Sequence, residues 1–126
     1  MTQFIDAEHA GDMMNCHSHM GIIIYLCRSP IIWYSKNNNT VESSTLGLEI
    51  VAMPTGMDLM KGLRYKIRMM GIPIDRPTSV FCNNKSVVIS TYVPTSTFTK
   101  NNLGICYHAA REKSAAGIHW IAHING

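Results

Sequence analysis

Two carboxylates, Asp6 and Glu49, and one carboxamide, Asn83, are the residues of this 126-residue chain whose types and placement suit chemistry. Each falls at the edge of an expected element. Asp6 closes the apolar run "FID", Glu49 lies near the start of a long helical pattern, and Asn83 follows the strand-like "TSVFC". Carboxylates gathered at strand ends suit a hard divalent cation, because Mg²⁺ takes oxygen ligands and keeps several of its waters. Two such ions about 3.5–4 Å apart can hold an attacking water and a leaving oxygen during phosphodiester hydrolysis. The amide at position 83 keeps the polarity of a carboxylate without its charge. Taken singly, Asp6 and Glu49 also read as surface or capping acids, so their chemistry depends on elements that bring them together.

Those elements can be read from periodicity. After "FID", the runs "GIIIYLC" and "PIIWYS" are β-branched and aromatic, and Arg28-Ser29 between them suits a tight hairpin. Neither run alternates, which predicts a sheet covered on both faces, with Trp33 and Tyr34 in the strand core. From residue 43 to 70 the period changes. Leu48, Val51, Ala52, Thr55, Leu59, Leu63, Ile67 and Met70 recur at helical spacing, after N-cap oxygens at Ser43, Ser44 and Thr45 and before the stop signals Gly71 and Pro73. Pro54 and Gly56 oppose this helix and predict a kink near residues 50–54. The strand "TSVFC", a short helix near 85–91, and a helix from Thr97 or Thr99 to Ala116 follow, the last carrying Ile105, Ala109, Glu112 and Ala116 and capped by Gly117. In "IHWIAHI", Ile118, Trp120, Ala122 and Ile124 point one way and His119, Ile121 and His123 the other. Trp120 reads as core and the two histidines as the wetter face. The order β-β-β-α-β-α-α-β predicts one α/β domain over residues 1–126, a mixed sheet flanked by helices. If the first and fourth strands are neighbours and the long helix crosses them, Asp6, Glu49 and Asn83 meet.

Composition bounds the partners. Hydrophobic residues make up 46% and charged residues 15%, with net charge +3, a globular balance without the dense basic stripe of a committed nucleic-acid binder. Lys61, Arg64 and Arg68 line the last turns of the long helix, and Lys100, Arg111 and Lys113 follow later. They read either as a solvated face or as a grip on a nucleic-acid backbone. Cys16, Cys27, Cys82 and Cys106 show no paired spacing, which predicts free, buried thiols in an intracellular protein, with Cys27 and Cys82 in apolar runs. Cys16, His17 and His19 in "CHSH", with Cys106 and His108, supply soft ligands for Zn²⁺ but no standard finger spacing. The longest apolar run, Met20–Cys27, is far shorter than the about 20 residues that span a bilayer. No membrane partner is expected.

Five stretches carry a resemblance: "DAEHAGD" (6–12), "IIWYSKNNNTVESSTLGLEIVAM" (31–53), "LRYKIRMMGIPID" (63–75), "VFCNNKSVV" (80–88) and "YHAAREKSAAG" (107–117). In order and content the chain resembles the ribonuclease H domain at the end of the Pol polyprotein of copia-type retrotransposons. The resemblance implies an RNase H-like fold with a mixed five-stranded sheet whose first three strands are antiparallel. It also implies Mg²⁺-dependent nuclease ancestry, an RNA–DNA hybrid as ancestral substrate and an upstream reverse transcriptase domain in the ancestral polyprotein. On that pattern the first two acidic ligands fall on Asp6 and Glu49, and the third, an aspartate, on Asn83. Glu8 stands where the family carries a shorter acid. The fourth aspartate belongs to a motif past Gly126, so the resemblance implies a truncated domain without its last helix and with apolar sheet surface exposed. The resulting expectation is a degenerate, catalytically inactive RNase H-like domain that binds Mg²⁺ weakly or not at all. A non-catalytic nucleic-acid-binding module is the alternative.

Overall fold

The computed structural model describes residues 1–8, 18–38, 45–93 and 101–125. In chain order they form β1 (Thr2–Glu8), β2 (Ser18–Leu26), β3 (Ser29–Asn38), α1 (Thr45–Met69), β4 (Thr78–Cys82), α2 (Lys85–Tyr92), α3 (Asn101–Ala115) and β5 (His119–His123). This is the order expected from the sequence. The sheet runs β3-β2-β1-β4-β5. β1, β2 and β3 form an antiparallel meander, whereas β4 pairs in parallel with both β1 and β5. Ser43, Ser44, Thr97 and Thr99, offered as helix starts, lie outside the described residues.

One core holds these elements together. Ile5, Ile22, Ile24, Val80, Cys82 and Ile121 from the sheet join Leu48, Met53, Met57 and Met60 of α1, Val87 of α2 and Tyr107 and Ala110 of α3. The centre of the α1 face is therefore its methionines, whose unbranched side chains fill irregular space. Val51, Leu59 and Leu63 flank it half-buried, and Met70 is exposed beyond the helix end. Helix α1 runs unbroken through Pro54. It stops where Gly71 adopts φ 81° and the Ile72 and Gly71 amides donate to the carbonyls of Ile67 and Arg68. That pairing is a Schellman cap, and glycine enters the left-handed region without a Cβ clash.

Several expectations need correction. Among the described residues, helices cover the sheet on one face, not two. Ile22 and Ile24 face the core, while Ile23 between them is half-buried at the level of Phe4 and Trp33 on the opposite face. There Phe4 stacks on Phe81 at 5.3 Å and meets Tyr25 edge-on at 5.9 Å, and no described element covers them. Cross-strand aromatic packing thus supplies the apolar neighbours that the continuous run had attributed to a second helical layer. Trp33 and Trp120 are consequently 77% and 54% exposed rather than core. Strand β5 has the opposite phase to that expected, with His119 and Ile121 inside. Among the α3 residues whose burial is described, Tyr107 and Ala110 are buried and Ile105 points to solvent, because the helix docks through its aromatic ring. Finally, the hairpin turn falls on Cys27-Arg28, one residue early, so Cys27 sits at φ 57° with its thiol exposed and not buried as expected. Two-residue hairpin loops favour such positive φ values because their twist matches that of the strands.

Candidate metal centre

The expected meeting of Asp6, Glu49 and Asn83 is formed at the carboxyl ends of the parallel strands. The last β1–β4 pair is Ile5 with Cys82, so Asp6 and Asn83 are the next residues along two adjacent strands. The Asn83 amide donates through Nδ2 to Asp6 Oδ1 at 2.8 Å. An ionised carboxylate only accepts hydrogen bonds, so the amide must present its nitrogen to Asp6. Asp6 and Asn83 are both exposed.

Glu49 enters from the first turns of α1 and is 4% exposed. Its Oε2 accepts a hydrogen bond from the Cys82 thiol at 2.8 Å. Burial raises the Glu49 carboxyl above its ordinary range, the nearby Asp6 charge adds to the rise, and hydrogen bonds from Cys82 and Asn84 pull it back. Burial likewise pushes the Cys82 thiol up to about 12, helped by its bond to Glu49. Strand alternation explains the division of labour, since Cys82 turns inward to α1 and Asn83 outward to Asp6.

Two further residues complete the site. Asn84 caps α2, its Oδ1 accepting from the Ser86 amide at 3.0 Å. His123, at the end of β5, places Nε2 3.1 Å from the Asn83 carbonyl oxygen. Sequence reading missed Cys82, Asn84 and His123 as members of the site. The first two were legible as neighbours of Asn83 at a strand-to-helix junction. His123 was not, because only strand pairing puts β5 beside β4.

A pair of divalent ions, the arrangement suited to phosphodiester hydrolysis, needs several anionic ligands. The donor set offers one exposed carboxylate, one buried carboxylate whose charge burial disfavours, and an amide. That set fits a single hard cation and lacks the charge for two. Among the described residues, no three histidine, cysteine, aspartate or glutamate side chains are gathered to hold a metal ion. The soft-ligand reading fares no better. Cys16 and His17 lie outside the described residues, His19 sits in β2, and Cys106 and His108 lie on α3.

The basic residues are only partly free. Arg64 clamps the segment after α1, donating to the Arg76 carbonyl at 2.8 Å and to Thr78 Oγ1 at 3.0 Å. Arg111 donates to the Tyr107 hydroxyl at 3.0 Å and lies 5.4 Å from that ring's centre. Lys113 pairs with Asp58 at 2.6 Å. Lys61 and Arg68 are exposed, and Lys100 lies outside the described residues.

No protein-family model matches the chain. It is similar, at 26% identity over 122 residues, to the retrovirus-related Pol polyprotein from transposon RE1 of Arabidopsis thaliana, and at 24% to that from transposon RE2. Each match takes in 97% of this chain but only 8% of the relative's length. Among solved structures, LC11-RNase H1 in complex with an RNA/DNA hybrid superposes with TM-score 0.72 at 12% identity, covering 98% of this chain and 84% of that one. RNase H1 from the archaeon Halobacterium salinarum gives 0.66 at 12% identity, again covering 98% of this chain and 84% of the other. The prototype foamy virus protease-reverse transcriptase gives 0.65 at 14% identity, with 98% of this chain lying on 17% of that one. The fold is RNase H-like, a mixed α/β sheet of the expected topology.

Proposed function

We propose that this chain, an RNase H-like domain of the retrotransposon Pol type, descends from a Mg²⁺-dependent RNA–DNA hybrid nuclease and is itself catalytically silent. One observation carries the reading. At the strand end facing Asp6 there stands a hydrogen-bond donor, Asn83 Nδ2, and not a second anion. Carboxylates in contact repel, and a cation relieves that repulsion. An amide in contact with a carboxylate is already satisfied. A cation bound here must displace the Asn83 bond and gains one negative charge fewer in return.

The residues that would hold such an ion are Asp6, Glu49 and the Asn83 amide oxygen. Bound Mg²⁺ would supply charge stabilisation and an activated water. Of this chain's own residues, Asn83 hydrogen-bonds Asp6 and Cys82 hydrogen-bonds Glu49. Changing partners outside the first coordination shell already weakens metal binding about 10–100-fold, and losing a coordinating charge costs at least as much.

The test is cleavage of an RNA–DNA hybrid by the purified protein with Mg²⁺ or Mn²⁺. No cleavage is expected, and Asn83→Asp is expected to raise Mn²⁺ affinity by about 10-fold or more. Robust cleavage by the unaltered protein that disappears in Asp6→Asn overturns the proposal. A salt titration of binding to hybrid, duplex DNA and duplex RNA addresses the binding-module alternative. With Arg64 and Arg111 engaged internally, few phosphate contacts and a shallow salt slope are expected.

A further inference from the structure

We infer that Cys82 is a positioning residue for Glu49, its buried thiol fixing the carboxylate in one orientation beside Asp6 and Asn84. This rests on reading the pocket as the remnant of a cation site.

The inference starts from burial. Cys82 is fully buried and Glu49 is 4% exposed, so water does not order this carboxylate. A glutamate has three side-chain torsions, and fixing them costs conformational freedom. Something in the protein must select one arrangement. The thiol proton has two acceptors in reach, Glu49 Oε2 at 2.8 Å and the Asn84 carbonyl at 3.9 Å, and the carboxylate is much the nearer. Hydrogen bonds to charged acceptors are about twice as strong as neutral ones. The thiol is also held rigidly. Cys82 is the last residue of β4, paired on one side with Ile5 and on the other with His123, and its own carbonyl accepts from the Ile124 amide at 3.0 Å. Two strands therefore fix the donor that fixes the acid. A side chain without a donor at this position would leave one carboxylate oxygen buried and unpartnered by it.

Two measurements test the role. The S–H stretching band of Cys82 is isolated by subtracting the infrared spectrum of Cys82→Ser from that of the unaltered protein. It is expected below the band of the exposed Cys27 and is expected to move up in Glu49→Gln, whose amide is a weaker acceptor. A band that coincides with that of Cys27 and ignores Glu49→Gln overturns the assignment.

The second measurement is Mn²⁺ affinity in protein carrying Asn83→Asp. Adding Cys82→Ala is expected to weaken binding about 10-fold, and adding Cys82→Ser, which restores a hydroxyl donor, to recover most of it. A purely structural role would lower the melting temperature of the alanine variant and leave Mn²⁺ affinity equal in all three. Equal affinities overturn the proposal. If Asn83→Asp alone binds no Mn²⁺, the reading of the pocket as a cation remnant fails, and the S–H band still decides whether Cys82 orients Glu49.

Discussion

At the scale of single residues, His119 couples the protein's stability to pH. It is 3% exposed, and neither ring nitrogen finds a hydrogen-bond partner among the described residues. Burial pushes its pKa down from 6.5 to about 4, and Arg64 and Lys113 push the same way while Asp58 opposes them. Below pH 6.5 the unfolded chain takes up a proton that the folded protein refuses until about pH 4. Stability from this group is therefore complete above pH 6.5 and is lost as pH falls through that window, by about 3 kcal/mol in all. Glu49 acts in the opposite sense, since its raised carboxyl protonates more readily in the folded state. Denaturant titrations of the unaltered protein and His119→Leu between pH 7 and pH 4 should diverge by that amount. Parallel curves would show that the imidazole is not buried neutral.

At the scale of elements, α1 is held against β1 at a point where only glycine fits. A Cβ on Gly56 would collide with the Gln3 side-chain amide and come within 2.8 Å of Ile5 Cδ1. Both neighbours are buried side chains, at 0% and 2% exposure, so neither can swing into solvent. Gly56→Ala should therefore lower stability by about 1–3 kcal/mol through overpacking, despite the gain of up to about 1 kcal/mol in helix propensity. Gly62 lies two turns on, exposed, with nothing within 4 Å of a Cβ. Gly62→Ala should raise stability by up to about 1 kcal/mol for the same propensity reason. Thermal melts of the pair decide the matter, and shifts of the same sign would mean that α1 does not lie close on β1. A similar device guards the sheet edge. The Tyr92 hydroxyl accepts from the Ile121 amide at 2.8 Å and donates to the Ile121 carbonyl at 2.9 Å, closing backbone groups of β5 that would otherwise invite another strand.

At the scale of the whole molecule, the protein has a dry face and an open one. The helices seal one side of the sheet, whereas the other shows Phe4, Phe81, Trp33 and Trp120 to solvent among the described residues. The chain's two tryptophans are both on that open side. Acrylamide should therefore quench most of the tryptophan fluorescence of the folded protein, nearly as fully as in denaturant. Strong protection in the folded state would mean that the face is covered.

Much of this was legible from residues alone. The 3.6-residue period of α1, the Gly71 and Gly117 stops and the turn chemistry around residues 73–77 are local, because backbone sterics and hydrogen bonding act over a few residues. The types of Asp6, Glu49 and Asn83, two acids and an amide, are likewise read directly from the sequence. Which side of each element is buried was decided elsewhere. "IHWIAHI" alternates equally well in either phase, so only the pairing of β5 with β4 put His119 inside and Trp120 outside. Likewise, Cys82 and Glu49 are 33 residues apart in sequence and 2.8 Å apart in space. That contact exists because α1 packs across the parallel β1–β4 pair and brings Glu49 to the inward side chain that ends β4.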